Sequence, residues 1–417
     1  MTRTKLAASL LLALSCSFAA PLVAQQETAQ QKFDRALDLR ERGDLFEAMN
    51  LLQQVVEQQP TLGRARIELA LTQARALRHA EARANAEKVL NDATTPETVK
   101  VTVRAFLSEL EKEAQPHRFT PSIFIGLMRD DNVNVGPGSA DTGIAGLTLN
   151  PGALPAKDDA LTISAGLAHR YLSPNRFKFA GHDASFMWLS GISLNRVDYN
   201  SLDANDVDVA TLRTGPFVVA GPWRFGLTGV GDQIWYGGSD LARFLSLSPS
   251  VGYTFGGGIK LDVAARVQDR DYSTAINDPR DSTYKDLAAG VHFPIIPGSL
   301  SANASVRLFD ENAALARFSN DGTELAAGLV WQPWNGGTVS LSVNRRDYAH
   351  DDVEPIFAVK RDETQDRVSL EVSHKFSAGM LRDWIISGYA INTDAKSNVA
   401  IYRYDRSQVG LNIGRSF

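Results

Sequence analysis

Four oxygen-bearing side chains stand close together in the chain: Asp130, Asp131, Asn132 and Asn134. Carboxylate and amide oxygens at this spacing could bind a cation. The same residue types also form turns, because their side chains accept hydrogen bonds from nearby backbone amides. Three interpretations therefore stay open: a cation site, a cluster that locks the first loop against the lumen, and ordinary turn chemistry.

A second group, His350, Asp351 and Asp352, combines residue types that some surface proteases use for catalysis. It falls in a predicted loop, 349–363, and no other motif supports an enzyme. The sequence contains no Gly-x-Ser-x-Gly elbow, no His-Glu-x-x-His helix and no phosphate-binding loop. Its seven histidines are scattered and suggest no metal cluster. We therefore predict a non-enzymatic protein with no catalytic residue, no metal ion and no cofactor.

Charge and hydropathy exclude two classes of protein. The 417 residues carry a net charge of −5, so the chain lacks the concentrated basic surface that a nucleic-acid partner requires. Beyond the N-terminus there is no apolar run of about 20 residues, which excludes a helical membrane protein. A β-barrel stays compatible with these values, because alternating strands average to neutral hydropathy.

The N-terminus has the pattern of a secretory signal peptide. Arg3 and Lys5 precede an apolar run from Leu6 to Ala20, and we predict residues 1–24 as the signal peptide, with cleavage after Ala24. The single cysteine, Cys16, lies inside this run, so the mature chain would have no thiol for a disulfide or a metal site. Export without disulfides is typical of a large bacterial envelope protein.

Residues 25–116 are predicted to form a helical domain. Their apolar residues have helical spacing and repeat with a period of about 34 residues, which is typical of tetratricopeptide repeats. The small residues that would let paired helices approach closely are Ala36, Ala48, Ala70 and Ala82. Gly43 and Asp44 provide a turn within the first pair, and residues 96–114 would form a capping helix. Another small helical hairpin domain would give a similar pattern.

Residues 117–417 alternate between apolar and polar side chains, as in Ile259, Leu261, Val263 and Val267. We predict fourteen strands, near 119–128, 159–172, 183–199, 205–219, 222–236, 243–255, 258–272, 283–294, 298–311, 321–333, 337–348, 364–377, 381–393 and 404–417. The predicted tight turns are 221–222, 256–258, 294–298, 333–337 and 377–379, and the predicted longer loops are 129–158, 273–282, 312–320, 349–363 and 394–403. This alternation predicts a 14-stranded antiparallel outer-membrane barrel, although two packed soluble sheets would also alternate.

Aromatic residues and the C-terminus favour the barrel. Trp188, Trp223, Trp235, Trp331, Trp334, Trp384, Tyr171, Tyr199, Tyr236, Tyr253, Tyr348 and Tyr389 lie toward predicted strand ends, where their rings would form girdles at the lipid interface. Val409, Leu411, Ile413 and Phe417 share one face, like the C-terminal signal that the barrel assembly machinery reads. With an even strand count, both barrel termini lie on the tight-turn side. We therefore expect a periplasmic helical domain and extracellular long loops.

The polar face of the barrel would line its lumen if the apolar face contacts outer-membrane lipid. The charged candidates on this face are Arg213, Lys260, Asp262, Arg266, Arg307, Arg367, Glu371 and Lys375. They could guide an unfolded polypeptide, or they could be the hydrated interior that such barrels commonly have.

The whole predicted mature chain resembles the surface lipoprotein assembly modulators, the outer-membrane components of type XI secretion. The resemblance rests on a signal peptide, a short tetratricopeptide-like domain and a barrel of about 300 residues, an architecture typical of outer-membrane export. Its most recognisable segment is Phe119–Asn134, FTPSIFIGLMRDDNVN, which is similar to the start of the family's barrel domain. The resemblance implies translocation of a partner protein, either a surface lipoprotein or a soluble haem- or metal-capturing protein.

Other functions remain open from the sequence. Exopolysaccharide exporters also join tetratricopeptide repeats to a barrel, but they usually carry many more repeats. A general outer-membrane porin with an unrelated helical adaptor is a further alternative, and an outer-membrane enzyme is disfavoured by the missing motifs.

Overall fold

The computed structural model describes residues 27–144 and 146–417, and the predicted signal peptide lies outside them. The five α-helices are Ala29–Arg42 (α1), Leu45–Gln58 (α2), Gly63–Arg75 (α3), His79–Leu90 (α4) and Glu97–Glu113 (α5). The strands are His117–Asp130 (β1), Asp158–Leu172 (β2), Phe177–Phe179 (β3), His182–Tyr199 (β4), Val207–Ala220 (β5), Trp223–Tyr236 (β6), Ser239–Thr254 (β7), Lys260–Tyr272 (β8), Ser282–Ile296 (β9), Leu300–Ala313 (β10), Asn320–Trp331 (β11), Gly337–Glu354 (β12), Val359–Lys375 (β13), Trp384–Ser397 (β14) and Tyr404–Ser416 (β15).

The helices form two antiparallel pairs followed by a fifth helix, and each packs mainly against the next one in the chain. The four alanines that the sequence marks as close contacts are completely buried: Ala36, Ala48, Ala70 and Ala82. Gly43 ends α1 in the left-handed conformation, and the Asp44 side chain accepts a hydrogen bond from the Glu47 amide at the start of α2. The predicted turn is therefore confirmed. None of the described helices is long and apolar enough to cross a membrane.

The strands close into a barrel. β1 pairs with both β2 and β15, β2 pairs with β4, and each later strand pairs antiparallel with the next. Fourteen strands form the closed wall, while the short β3 pairs only with the start of β4. Closure leaves no long edge strand, which satisfies the backbone hydrogen-bonding groups of the wall. The predicted 14-stranded antiparallel barrel after a helical domain is thus confirmed.

The loops differ from prediction in three places. Residues 349–363 are not a loop. β12 continues to Glu354, β13 begins at Val359, and the two strands pair with a register shift between Ala349 and Val353. The β6–β7 connection is only Gly237 and Gly238, both with positive φ, because β7 begins at Ser239 and not at residue 243 as predicted. The β13–β14 connection spans 376–383 and is longer than the predicted tight turn. Glycine and proline content indicates where a chain can turn, but it does not report where strand pairing ends.

The outer surface of the barrel is apolar. Exposed large side chains occupy alternate positions along the strands, for example Leu245 and Leu247 on β7 and Leu325 and Leu329 on β11. Aromatic rings cluster on the outer face at the end nearest the helices: Phe179 contacts Phe225, Trp223 contacts Tyr253, and Tyr253 contacts Phe255. Some rings assigned to girdles by sequence point inward instead, among them Tyr199, Tyr348 and Tyr389. An apolar band with an aromatic border is what a bilayer-spanning barrel requires.

We expect Val306→Lys to destabilise the barrel strongly in lipid. Val306 is at the centre of β10 and exposed on the outer face, where a lysine would cost about 2–4 kcal/mol of folding free energy at the bilayer midplane. The matched control is Ser305→Lys, whose side chain lies on the opposite face beside Gly290. Urea unfolding in liposomes measures both variants. Equal destabilisation of the two would contradict a lipid-facing outer surface.

Candidate functional site

The helical domain docks on one end of the barrel, which we call the near rim, and the opposite end is the far mouth. The Glu113 side chain pairs with Arg118 and Arg170 of the barrel, and Glu81 pairs with Arg176. The Arg170 Nη2 group also donates to the Glu113 carbonyl oxygen at 2.9 Å. The two domains are therefore held by ion pairs that link α4 and α5 to the start and end of the first strands.

A glycine turn completes this contact. Gly258, between β7 and β8, has φ of 81° and lies so close to α1 that a Cβ there would be 2.1 Å from the Arg42 carbonyl oxygen. The Phe46 ring of α2 meets the His182 ring edge-on at 5.2 Å between centroids. All these contacts involve residues between Arg118 of β1 and the β7–β8 turn. Within the described residues, no hydrogen bond or ion pair joins the helices to the connections at 297–299, 332–336 or 376–383.

A groove of about 620 Å³ runs along the helical domain between α1, α3, α4 and α5. Its lining is mainly apolar, with charged groups at the edges: Arg40, Glu41, Leu71, Ala74, Arg75, Leu77, His79, Phe106, Glu109, Leu110 and Glu113. Glu113 thus belongs both to the groove and to the ion pairs with the near rim. The groove opens beside the barrel end.

His79, at the start of α4, lines the groove beside Glu113 and is a titratable group of this junction. Burial lowers the pKa of His79 below its ordinary value of 6.5, and the nearby charge of Arg170 lowers it further, while Glu113, the Ala74 carbonyl and Glu81 act in the opposite direction. The folded protein therefore binds this proton less readily than the unfolded chain. The neutral His79 side chain therefore contributes fully to the stability of the folded protein above pH 6.5, and this contribution is lost as the pH falls below that value.

We expect trypsin to cut after Lys112, in the last turn of α5 beside the linker, faster at pH 5.5 than at pH 7.5, after correction for the pH dependence of the protease itself. His79→Gln cannot take up the proton, so its cleavage should change less over this interval. An unchanged pH dependence in His79→Gln would show that other groups control the junction.

Asp130 is the centre of a buried hydrogen-bond cluster at the far mouth. Its carboxylate is completely buried and accepts hydrogen bonds from Arg406 Nε at 3.1 and 3.0 Å. It also accepts from the Tyr199 hydroxyl at 3.0 Å and from Gln408 Nε2 at 2.9 Å. The Asn132 amide contributes another bond at 3.0 Å. This carboxylate joins β1, β4 and β15 on the inner face of the wall.

The other members of the predicted cluster hold the first loop, residues 131–157. Asp131 accepts a hydrogen bond from the Ser407 amide at 2.6 Å, and the buried Asn132 binds the carbonyl oxygens of Gly136 and Asp405 at 2.9 and 2.8 Å. Asn134 closes the base of the loop through the Leu154 carbonyl and the Ala156 amide, both at 2.9 Å. These contacts match the loop-locking interpretation, because every one of these side chains is engaged by the protein itself.

The first loop turns into the far mouth. Val135 has a positive φ of 52° and reaches a cavity of about 120 Å³ that inward side chains of β12, β13 and β15 line, among them Tyr348, Gln365 and Tyr404. The Gly138 amide donates to the Arg403 carbonyl at 3.4 Å. The loop therefore covers part of the opening on the β15 side.

All eight lumen candidates from the sequence alternate with outward apolar residues, and the structure brings only some of them together. Arg266 and Arg307 lie on the same carboxylate, Asp286, at 2.5 and 3.8 Å. Asp262 pairs with Arg224 at 2.8 Å, and Lys375 lies 3.7 Å from Asp383. Lys260 packs beside Gly43 of the helical domain. Within the described part of the chain, Arg213, Arg367 and Glu371 form no ion pair.

A larger arginine wall, which sequence reasoning found only in part, lines the inner face of β8 to β13. It consists of Arg266, Arg270, Arg307, Arg346 and Arg361. Arg270 stacks 4.2 Å from the Tyr284 centroid and Arg346 stacks 4.2 Å from the Phe309 centroid. Arg270 and Arg346 continue the polar phase of their strands, so the alternation could have identified them. Arg361 was missed because it fell in the predicted loop.

His350, Asp351 and Asp352 do not form a catalytic group. They lie on β12, where His350 is buried and points inward, whereas Asp351 and Asp352 are exposed. The His350 Nδ1 atom lies 3.4 Å from Arg361 Nη2, not beside a carboxylate. Among the described residues, no group of three or more His, Asp or Glu side chains is arranged to hold a metal ion.

Comparison with known proteins gives structural likeness only. No protein-family model matches the sequence, and no curated protein matches it significantly. OpdQ of Pseudomonas aeruginosa is 9% identical with a TM-score of 0.35, over 72% of this chain and 97% of OpdQ. A loop-deletion mutant of the Vibrio cholerae outer membrane protein OmpT is 9% identical with a TM-score of 0.41, over 72% and 99% of the two chains. The outer membrane channel DcaP of Acinetobacter baumannii is 10% identical with a TM-score of 0.40, over 72% and 97%. At these values the likeness supports no conclusion about function, and the architecture rests on the chain's own strand pairing.

Proposed function

We propose that this protein is an outer-membrane translocon that exports or displays a partner protein at the cell surface. The helical domain would receive the partner in the periplasm, and the barrel would conduct or insert it, with the far mouth outside the cell. The observation that carries the proposal is the position of the helical groove, which shares Glu113 with the ion pairs at the near rim. A segment bound in the groove would lie beside the barrel entrance.

The chemistry of the groove suits an unfolded polypeptide. Its apolar residues, among them Leu71, Phe106 and Leu110, offer burial to hydrophobic side chains of a segment. Arg75 and Glu109 at the edges offer partners to backbone and charged groups. Helical repeat stacks commonly bind protein segments in such concave surfaces.

The barrel entrance supports the same route. Among the described residues, the hydrogen bonds and ion pairs between the helices and the near rim lie on the side of β1 to β8. A segment released from the groove toward the other side would meet the arginine wall, whose members Arg307, Arg346 and Arg361 lie on β10, β12 and β13. Outer-membrane lipid would surround the apolar outer face, and the barrel assembly machinery would insert the chain.

The resemblance to surface lipoprotein assembly modulators names the class of cargo. It would be a surface lipoprotein or a soluble haem- or metal-capturing protein. In this proposal binding and cargo folding drive transport, and no catalytic residue, cofactor or nucleic acid takes part.

The test compares surface and released proteins of the source bacterium with and without this gene by quantitative mass spectrometry. We expect loss of one or a few proteins in the deletion strain. Complementation with a Leu71→Asp, Phe106→Asp variant should fail, because charges in the groove oppose binding of apolar segments. The matched control, Val101→Asp, changes an exposed residue outside the groove and should restore export. Heat-modifiable gel migration shows that each variant still forms a barrel.

The alternatives give different results. Unchanged surface proteins combined with altered uptake of small solutes would replace the translocon with a general porin. Loss of surface polysaccharide would indicate an exopolysaccharide exporter. Either result overturns the proposal.

A further inference from the structure

A second cavity, separate from the helical groove, lies inside the far mouth. Its volume is about 320 Å³, and its walls are Tyr272, Arg280, Glu311, Phe318, His350, Arg361 and Tyr402. We propose that this cavity binds a small organic carboxylate with a flat apolar body. We refer to it as the mouth cavity.

The unpartnered groups of the mouth cavity are hydrogen-bond donors. Arg361 and His350 are more than nine-tenths buried, yet Arg361 Nε and His350 Nε2 have no hydrogen-bond partner among the described residues. Leaving a buried donor without an acceptor is costly. Two unpartnered acceptors occur nearby, on Asn320 and Glu363, but these residues do not line the cavity. An acceptor placed in the cavity would relieve both donors.

The state of His350 follows from its neighbour. Its Nδ1 atom lies 3.4 Å from Arg361 Nη2, and a guanidinium group can only donate hydrogen bonds. Nδ1 therefore accepts, and the ring proton of the neutral imidazole is on Nε2. His350 offers its donor without needing to be protonated.

The cations that line the mouth cavity are poorly paired, which favours an anion. Arg280 and Arg361 line it directly, whereas Arg270 and Arg317 pair with carboxylates beside it. The nearby carboxylates are Asp281, Glu311, Glu354 and Glu363, and Asp281 already accepts a hydrogen bond from the Tyr272 amide at 2.7 Å. Glu311 is already held by Arg270 at 2.8 Å and by the Ser282 hydroxyl at 2.7 Å. Arg361 has only loose partners, at 4.0 Å to Glu354 and 3.4 Å to Glu363.

Arg280 strengthens this field. It lies in the exposed β8–β9 connection, and within the described residues it has no carboxylate inside salt-bridge distance. Its guanidinium carbon lies 5.1 Å from the Phe318 centroid. A ligand carboxylate could bind between Arg280 and Arg361.

The remaining walls select the body of the ligand. Tyr272, Phe318 and Tyr402 bring three aromatic rings to one cavity. One face of Tyr402 is covered by Arg361 at 4.0 Å, which also fixes the guanidinium group. Aromatic walls around a charged anchor suit a flat apolar body rather than a bare inorganic ion.

Calorimetric titration of the full chain in detergent micelles tests the proposal with benzoate as the probe and benzamide as its uncharged analogue. We expect benzoate to bind at least about tenfold more tightly than benzamide, because only the carboxylate forms charge-assisted hydrogen bonds. Raising the salt concentration should weaken benzoate binding.

Arg361→Gln should reduce benzoate affinity about tenfold or more. Because that change leaves Glu354 and Glu363 near each other without the cation, a second variant protects the test from misfolding. Arg280→Gln alters an exposed loop residue and should also weaken benzoate binding severalfold. The control, Arg243→Gln, removes an arginine from the outer surface, where it pairs with Asp271, and should leave binding unchanged.

Three results would overturn the proposal: no binding of benzoate to the natural chain, equal binding of benzamide, or unchanged affinity in Arg280→Gln. If Arg361→Gln does not fold, Arg280→Gln alone decides. The proposal is independent of protein translocation, because it concerns the far mouth and needs no cargo.

Discussion

Replacing Asp130 by alanine should open the seam between the first and last strands. The substitution removes the only carboxylate in hydrogen-bond contact with Arg406 among the described residues and leaves that guanidinium partly buried without its counter-charge. We expect a loss of about 3 kcal/mol of folding free energy. Removing one partner of a buried ion pair commonly costs about 3–5 kcal/mol, and the lower value applies because the Arg406 side chain keeps some access to water. The midpoint of heat-modified gel migration measures the loss.

Two comparisons separate the charge from the packing. Asp130→Ala combined with Arg406→Met removes both charges and should be less destabilised than the single variant, because no buried charge is left unpaired. Asp159→Asn breaks the exposed pair with Arg129 and should leave the midpoint unchanged. If Asp130→Ala melts like the natural chain, the cluster does not stabilise the closed wall.

The same substitution should loosen the first loop. Asp130 accepts the Asn132 amide, and Asn132 in turn anchors Gly136 and Asp405. Losing the hydrogen bond between Asp130 and the Asn132 amide should weaken the bonds that Asn132 makes to Gly136 and Asp405. Protease cleavage at Lys157, at the end of this loop, should therefore become faster in Asp130→Ala while the rest of the barrel stays resistant.

Leu52→Ala should unfold the helical domain without affecting the barrel. Leu52 is completely buried on α2 in a cluster with Phe33, Leu39 and Leu69. Truncation of a buried leucine costs about 2–5 kcal/mol, through lost burial and the cavity left behind. That is a large part of the stability that a small domain normally has. Limited proteolysis should remove the helices while the barrel band remains.

The control for Leu52→Ala is Val101→Ala, which shortens a side chain that is 57% exposed on α5 and should leave the protease pattern unchanged. A parallel loss of the folded barrel in Leu52→Ala would show that the two domains unfold as one unit. Since the contacts between them are mainly ion pairs at the near rim, we expect separate transitions.

The spacing of residue types predicted the elements well. Helical spacing and small residues at Ala36, Ala48, Ala70 and Ala82 predicted paired helices, and all four are buried where helices meet. Period-two alternation predicted the strands of the wall, because successive side chains of a strand point to opposite faces. The tetratricopeptide assignment and the family resemblance stay predictions.

The candidate site was predicted less well. Arg361 lies near the start of β13, before residue 364, where the predicted strand begins. Tyr199 was assigned to the lipid interface, but its hydroxyl donates to Asp130 inside the wall. Strand ends extend or stop according to the neighbouring strand they pair with, which local composition does not report.

The sequence by itself determined the division into a helical domain and an alternating half, the number of barrel strands and the polar character of one strand face. Only the tertiary structure decided which polar residues meet. Arg406 and Asp130 are 276 residues apart, and they touch because closure places the last strand beside the first. The mouth cavity likewise combines side chains from five separate segments of the chain. Periodicity reports the face of a residue within its own strand, whereas register and closure set its partners across the barrel.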